Sequence, residues 1–149
     1  KVDCFNGDLI EAKYPNNFFD QVNLCHVIEH VINPLELLIE IKRILKPGGI
    51  LSLGTPNSGS LLYKFYRYSM LFRMKVPEVI DGLEHTYVFS EKLLANLCKD
   101  LDFKILMHYS VGLGESISNL KNSKLSFKKK LNRLIQNFFK INQWIVCQK

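Results

Sequence analysis

What the chain has little of narrows it first. No apolar run approaches the roughly 18 residues needed to cross a bilayer, and no secretory leader is expected. The first residue is not Met, which suits a fragment or a processed product. The four cysteines, Cys4, Cys25, Cys98 and Cys147, are scattered, form no CxxC pair and have no histidine at ligand spacing. That argues against a metal centre and for buried free thiols in a reducing, cytoplasmic setting. Acid disappears from the end of the chain. Residues 1–115 carry 12 Lys/Arg against 14 Asp/Glu, whereas residues 116–149 carry 8 Lys/Arg and no acid. The formal charge of +6 therefore belongs to the tail. No internal repeat is present, and no nucleic-acid recognition motif accompanies the basic residues, so nucleic acid is not the expected partner.

What is there is ordinary globular material. Apolar residues make up 47% of 149 residues and charged residues 23%, enough for one domain with a real core. Val2 to Phe5 is a short β-prone run followed by the turn signal Asn6-Gly7-Asp8. Phe19 to His26 alternates well enough for a strand. The stretch 33–49, NPLELLIEIKRILKPGG, is the clearest helix. Asn33 suits the N-cap, Pro34 the first helical position and Glu36 a capping box. Lys46 favours the negative end, and Pro47-Gly48-Gly49 should end the helix. Ile50 to Thr55 then reads as a buried strand. Ser90 caps a second helix through about Leu101, Phe103 to Ser110 is a strand, 111–124 a loop, 127–140 a basic amphipathic helix, and Trp144 to Cys147 a last strand. Strand and helix alternating at this spacing predicts an α/β domain with a largely parallel sheet. Ligands of such sheets bind beyond the carboxyl ends of the strands, here Asn23 to His26 and Thr55 to Asn57.

At these residues the chain resembles Rossmann-like S-adenosylmethionine-dependent methyltransferases. The stretch 7–57 carries that family's ordered pieces: a Gly-Asp turn, Phe-Asp-x-Val, an Ile-Glu-His segment, Arg-x-Leu-Lys-Pro-Gly-Gly, and a strand ending Thr-Pro-Asn. Residues 84–105 resemble its later His-x-x-x-Phe-Ser segment, with Asp102 where the family usually has Gly. The resemblance covers about residues 6 to 110, and the terminal strand fits too. The family's glycine-rich turn is absent. Gly112 and Gly114 follow a late strand and lead to a loop, not a helix.

The resemblance implies an incomplete Rossmann-like methyltransferase fold: the C-terminal part of one domain, mostly parallel, with an antiparallel C-terminal strand and the first two strands missing. In the family's strand order 3-2-1-4-5-7-6 the missing pair separates Val2–Phe5 from Phe19–His26. The latter then has a bare edge, which should be hidden by dimerisation, strand exchange or relocation of Val2–Phe5. S-adenosylmethionine is the implied cofactor, with weak or no binding by these residues alone. Gly7 and Asp8 match the adenine position, while Cys25 and His26 would lie by the methionine part, mostly through backbone. His30 and His85 are the candidate catalytic residues near the acceptor; Glu29 reads as structural. His26 and His108 read as satisfied core histidines.

Residues 57–85 fall where the family varies its substrate cover, and Leu61 to Lys75 interleaves aromatics with cations. The expected activity is methyl transfer to a small molecule: a quinone, lipid or saccharide precursor. The competing reading is a non-catalytic module that pairs with a partner or docks on an anionic membrane through the basic helix.

Overall fold

The computed structural model describes residues 3–65, 86–111, 140 and 142–149. Its elements run β1 (Phe19–Cys25), α1 (Pro34–Ile44), β2 (Leu45–Pro56), α2 (Glu91–Asp100), β3 (Lys104–Val111) and β4 (Asn142–Gln148). The sheet order is β1-β2-β4-β3. β1 and β2 are parallel, and β4 is antiparallel to both of its neighbours. β1, β2 and β3 therefore point the same way with β4 reversed among them. This is the expected incomplete Rossmann-like architecture, and it brings the carboxyl ends of β1 and β2 to one end of the sheet.

The caps explain why the helices sit where they do. Asn33 Oδ1 accepts the Glu36 N–H at 3.2 Å, and Pro34 occupies the first turn. Glu36 reaches back to the Asn33 side-chain amide rather than to its backbone, so the capping box is half formed. Ser90 Oγ accepts from Leu93 N in the same manner. At the far end of α2, Asp102 N–H bonds Lys99 O at 2.8 Å and Phe103 N–H bonds Cys98 O at 2.9 Å. That is a Schellman closure, and Asp102 holds its left-handed residue, at φ 55°. The family's usual glycine at this position now has a physical reason.

Three sequence expectations need correction. Residues 3–5 form no strand and are exposed, so the described part of the expected strand Val2–Phe5 is not moved beside β1. A lone strand has no backbone partners, and nothing in the described residues supplies them. Accordingly the outer edge of β1 is unpaired among the described residues. The first helix ends at Ile44, and Leu45 is already extended at φ −69°, ψ 138°. Lys46 precedes Pro47 and is biased away from helical geometry, so the reversal comes earlier than the glycines. Those glycines serve a bulge instead. The register jumps from Phe19↔Leu45 to Gln21↔Ile50, and a Cβ on Gly49 would meet Lys46 O at 2.9 Å and Asp20 O at 3.2 Å. Lys149 pins this hump, bonding Gly48 and Gly49 through its backbone and Leu45 O through Nζ. Third, only Cys98 and Cys147 are buried thiols; Cys4 and Cys25 are exposed.

The core joins Leu38 and Ile41 of α1, Leu94 and Cys98 of α2, and Leu24, Leu51, Leu53, Ile145 and Cys147 of the sheet. Leu51 pairs with Cys147 and Leu53 with Ile145, so both helices cover one face. The Cys98 thiol is pushed far up by its hydrogen bond with Cys147 and by burial. The loop before β1 is held by Arg43, whose guanidinium reaches Tyr14 O, Asn16 Oδ1 and Glu40. Tyr14 stacks on Phe18, and both rings meet Phe19 edge-on. The loop expected at 111–124 and the basic helix at 127–140 lie almost wholly outside the described residues. Among those described, no helix is long and apolar enough to cross a membrane.

Candidate functional site

β1 stops at Cys25 because His26 turns into the left-handed region, at φ 53°. A non-glycine residue there is strained and persists only where its surroundings hold it. The holding is visible. His26 N–H bonds Gly54 O at 2.9 Å, so the turn is tied to the neighbouring strand tip. The ring's Nδ1 lies 3.0 Å from Glu29 Oε1.

Glu29 is fully buried. Its Oε2 accepts from Thr55 Oγ1 at 3.0 Å, and its backbone carbonyl accepts Tyr87 N–H at 3.0 Å. A buried carboxylate is costly unless its oxygens are satisfied. Here each oxygen has one partner, and the two partners come from the tips of β1 and β2. The acid that the sequence reading set aside as structural is thus the tie between the two strand ends. The signal was present: Glu29 is the one acid in the apolar run VIEHV, three residues after a histidine. Nor is His26 a core histidine. Its side chain is 42% exposed at the mouth of the turn, and Nε2 has no protein partner among the described residues.

A second polar cluster continues along the same end of the sheet. Asn57, buried, donates to Glu91 Oε1 at 3.0 Å and to Ser110 Oγ at 3.1 Å, and accepts from Gly59 N–H at 2.8 Å. Ser110 Oγ also donates to Glu91 Oε1. Gln143, fully buried and paired with Thr55, donates to Phe89 O at 2.7 Å and Pro56 O at 3.2 Å. His108 meets Gln143 Oε1 at 3.1 Å, so this histidine is satisfied, as expected. Sequence reasoning could not find these partners, which lie 34 to 87 residues away in the chain.

The remaining candidates are spread. Cys25 pairs with Gly54 and is exposed, on the face opposite the Leu24–Leu53 pair. It shares the tip with His26 but not the side occupied by Glu29. His30 is exposed in the turn closed by its own N–H to Val27 O at 3.0 Å. Gly7 and Asp8 sit in an exposed turn, where Asp8 N–H bonds Glu11 Oε2 and Asp8 O accepts from Ala12. Leu9 anchors that turn on the core. His85 lies outside the described residues. No group of His, Cys, Asp and Glu side chains that could hold a metal occurs among the described residues.

The comparisons with known proteins converge. A family model described as "Methyltransferase domain" matches residues 2–108. The ubiquinone/menaquinone biosynthesis C-methyltransferase UbiE of Ruegeria sp. (strain TM1040) is 28% identical over 127 residues, covering 76% of this chain and 50% of that protein. A demethylmenaquinone methyltransferase of Chlamydia muridarum is 30% identical over 113 residues, covering 70% of this chain and 47% of that protein. A solved SAM-dependent methyltransferase from Archaeoglobus fulgidus superposes with a TM-score of 0.63 and 21% identity, over 97% of this chain and 66% of that one. At that identity the likeness speaks for the fold alone. The chain spans about half the length of these two curated relatives.

Proposed function

This chain belongs to the methyltransferase-domain family, and on that premise we propose that it forms the later wall of an S-adenosylmethionine-dependent methyltransferase acting on a small molecule. The observation that carries the reading is the pair of parallel strand tips, Cys25 beside Gly54, opening at one end of the sheet. Crevices at such tips are where α/β sheets take ligands.

The residues present fit one side of the cofactor. The tip of β1 offers exposed Cys25 and a half-open His26, and Asp8 offers an exposed carboxylate. Asp8, with Gly7 making room at its turn, would accept from the adenine amine. Cys25 and His26 would line the methionine portion, mainly through backbone. When bound, S-adenosylmethionine supplies an electrophilic methyl group on a sulfonium. The protein's share is then to hold the acceptor in line and remove a proton where one must leave. His30, exposed in the turn beyond Glu29, and His85 would face the acceptor. The names of the two curated relatives favour a quinone-type acceptor for this chain over a saccharide or lipid.

The test is a titration. The 149 residues alone should show weak or no heat with S-adenosylmethionine, because no glycine-rich turn precedes β1 in this sequence. The chain expressed with any upstream sequence in its reading frame should bind, and Asp8→Ala should weaken that binding. Tight binding by the 149 residues alone would overturn the division of the cradle. No binding by the extended chain would overturn the methyltransferase reading.

A further inference from the structure

We propose that Glu29 is a positioning residue that keeps the His26 proton on Nδ1, leaving Nε2 as an open proton acceptor at the mouth of the crevice. Three observations meet here. Glu29 is fully buried, and its other oxygen is already taken by Thr55 Oγ1 at 3.0 Å. As a carboxylate, the oxygen facing His26 accepts only, and the 3.0 Å contact then places the proton on Nδ1. Which imidazole nitrogen carries the proton is set by the bond the other makes. The ring is gripped from inside at Nδ1 while 42% of the side chain is exposed, so Nε2 points away from Glu29 toward solvent. Finally, the backbone of His26 is held at φ 53° by its bond to Gly54, and strain of this kind collects at working residues.

The chemistry that follows is a proton transfer. An O–H or acidic C–H of the acceptor loses its proton to Nε2, and the bonding pair stays on the acceptor atom as its nucleophilic electrons. The imidazolium formed is balanced by the Glu29 carboxylate already in contact, so the charge appears beside its partner rather than in a bare crevice. What Nε2 acts on rests on the methyltransferase reading; the tautomer does not.

Ring-15N-labelled protein, read by multiple-bond 1H–15N NMR, decides the assignment. Neutral His26 in the wild type should show the Nδ1–H form, whereas Glu29→Gln should show a mixture of forms. A wild-type Nε2–H form overturns the proposal, and this measurement needs no variant to fold. The second arm uses the chain expressed with its upstream reading frame, in wild-type and variant forms, and follows methyl transfer from S-adenosylmethionine to 1,4-naphthoquinol. His26→Gln should lower kcat by about 10²–10⁴-fold with cofactor affinity kept. Glu29→Gln should lower kcat by at least about tenfold, and the double variant should be no worse than His26→Gln alone, since residues acting as a unit are not additive. Unchanged kcat in His26→Gln overturns the acceptor role. No turnover by the wild type, with the Nδ1–H form intact, supports the Glu29 assignment and overturns the quinol reading.

Discussion

Gly54 is the position where backbone, core and candidate site meet, and its substitution gives a sharp prediction. It pairs with Cys25 on one side and Trp144 on the other, and its carbonyl holds the His26 turn. An added Cβ would lie 2.7, 2.8 and 2.9 Å from three atoms of the Trp144 indole. These are below any real contact, and the obstacle is a rigid ring rather than a flexible chain end. Two effects compete in Gly54→Ala. Restricting the unfolded chain stabilises by about 0.4–1 kcal/mol. Overpacking against a ring that cannot step aside costs about 1–3 kcal/mol. The second should win, with a net loss of up to about 2.6 kcal/mol and a midpoint of about 1.3 kcal/mol by difference of these terms, and a Tm lower by about 3–5 °C at that midpoint. Trp144 is the chain's only tryptophan, so intrinsic fluorescence reports both the unfolding and the displaced ring. Gly54→Ala combined with Trp144→Leu should be less damaging than the sum of the singles, by about 0.5–3 kcal/mol of coupling, followed by circular dichroism. A neutral Gly54→Ala, or strict additivity in the pair, would refute the account of this contact.

Three further outcomes are expected. Asp102→Gly should raise stability by up to about 1 kcal/mol in denaturant titration, because Asp102 stands at φ 55°, where glycine has no Cβ penalty; its pair with Lys42, at 3.4 Å and 91% exposed on the Asp side, is too weak to reverse the sign. Native protein should titrate two fast thiols with a colorimetric disulfide reagent, Cys4 and Cys25, and all four only after unfolding, since Cys98 and Cys147 are buried away from the reagent and the hydrogen bond with Cys147 also pushes the Cys98 thiol up. Glu40 is held below the usual carboxylate range by the hydrogen bond from Arg43. Its contribution is therefore present above the unfolded value and is lost as pH falls through the lowered folded value, so between about pH 6 and about pH 3 wild type should lose more stability than Glu40→Gln in urea titrations; equal slopes would contradict the pairing.

Local chemistry was the legible part. The caps at Asn33 and Ser90 were readable because a cap is satisfied within three residues, at Glu36 and Leu93. The strand tips and the sheet order followed from the resemblance, as did the reversed last strand. The boundary at Ile44 was misplaced because Pro47-Gly48-Gly49 was read as the stop and Lys46 as the last turn, although the residue before a proline is already biased away from helix. The exposure of Cys4 and Cys25 was missed for a different reason. Their neighbours in sequence are apolar, but burial depends on what covers them, and at Cys25 nothing described does. The site was the least legible. Histidines drew attention because imidazole can do chemistry, whereas Glu29, Asn57 and Gln143 become meaningful only when Thr55, Glu91 and Phe89 arrive from elsewhere in the fold.

The two ends of the sheet are built by different means, and the difference bears on function. At the amino end of β2 the ties are backbone and cation: Lys149 on the glycine hump, and Lys46 on Asp20 at 2.8 Å. These ties hold the strand ends together. At the carboxyl end the ties are carboxylates, amides and hydroxyls, some of them half-open, and one backbone residue is held under strain. That arrangement leaves hydrogen-bonding capacity facing outward at His26 while its support is buried at Glu29. The edge of β1 that is unpaired among the described residues lies along the same strand whose tip carries His26.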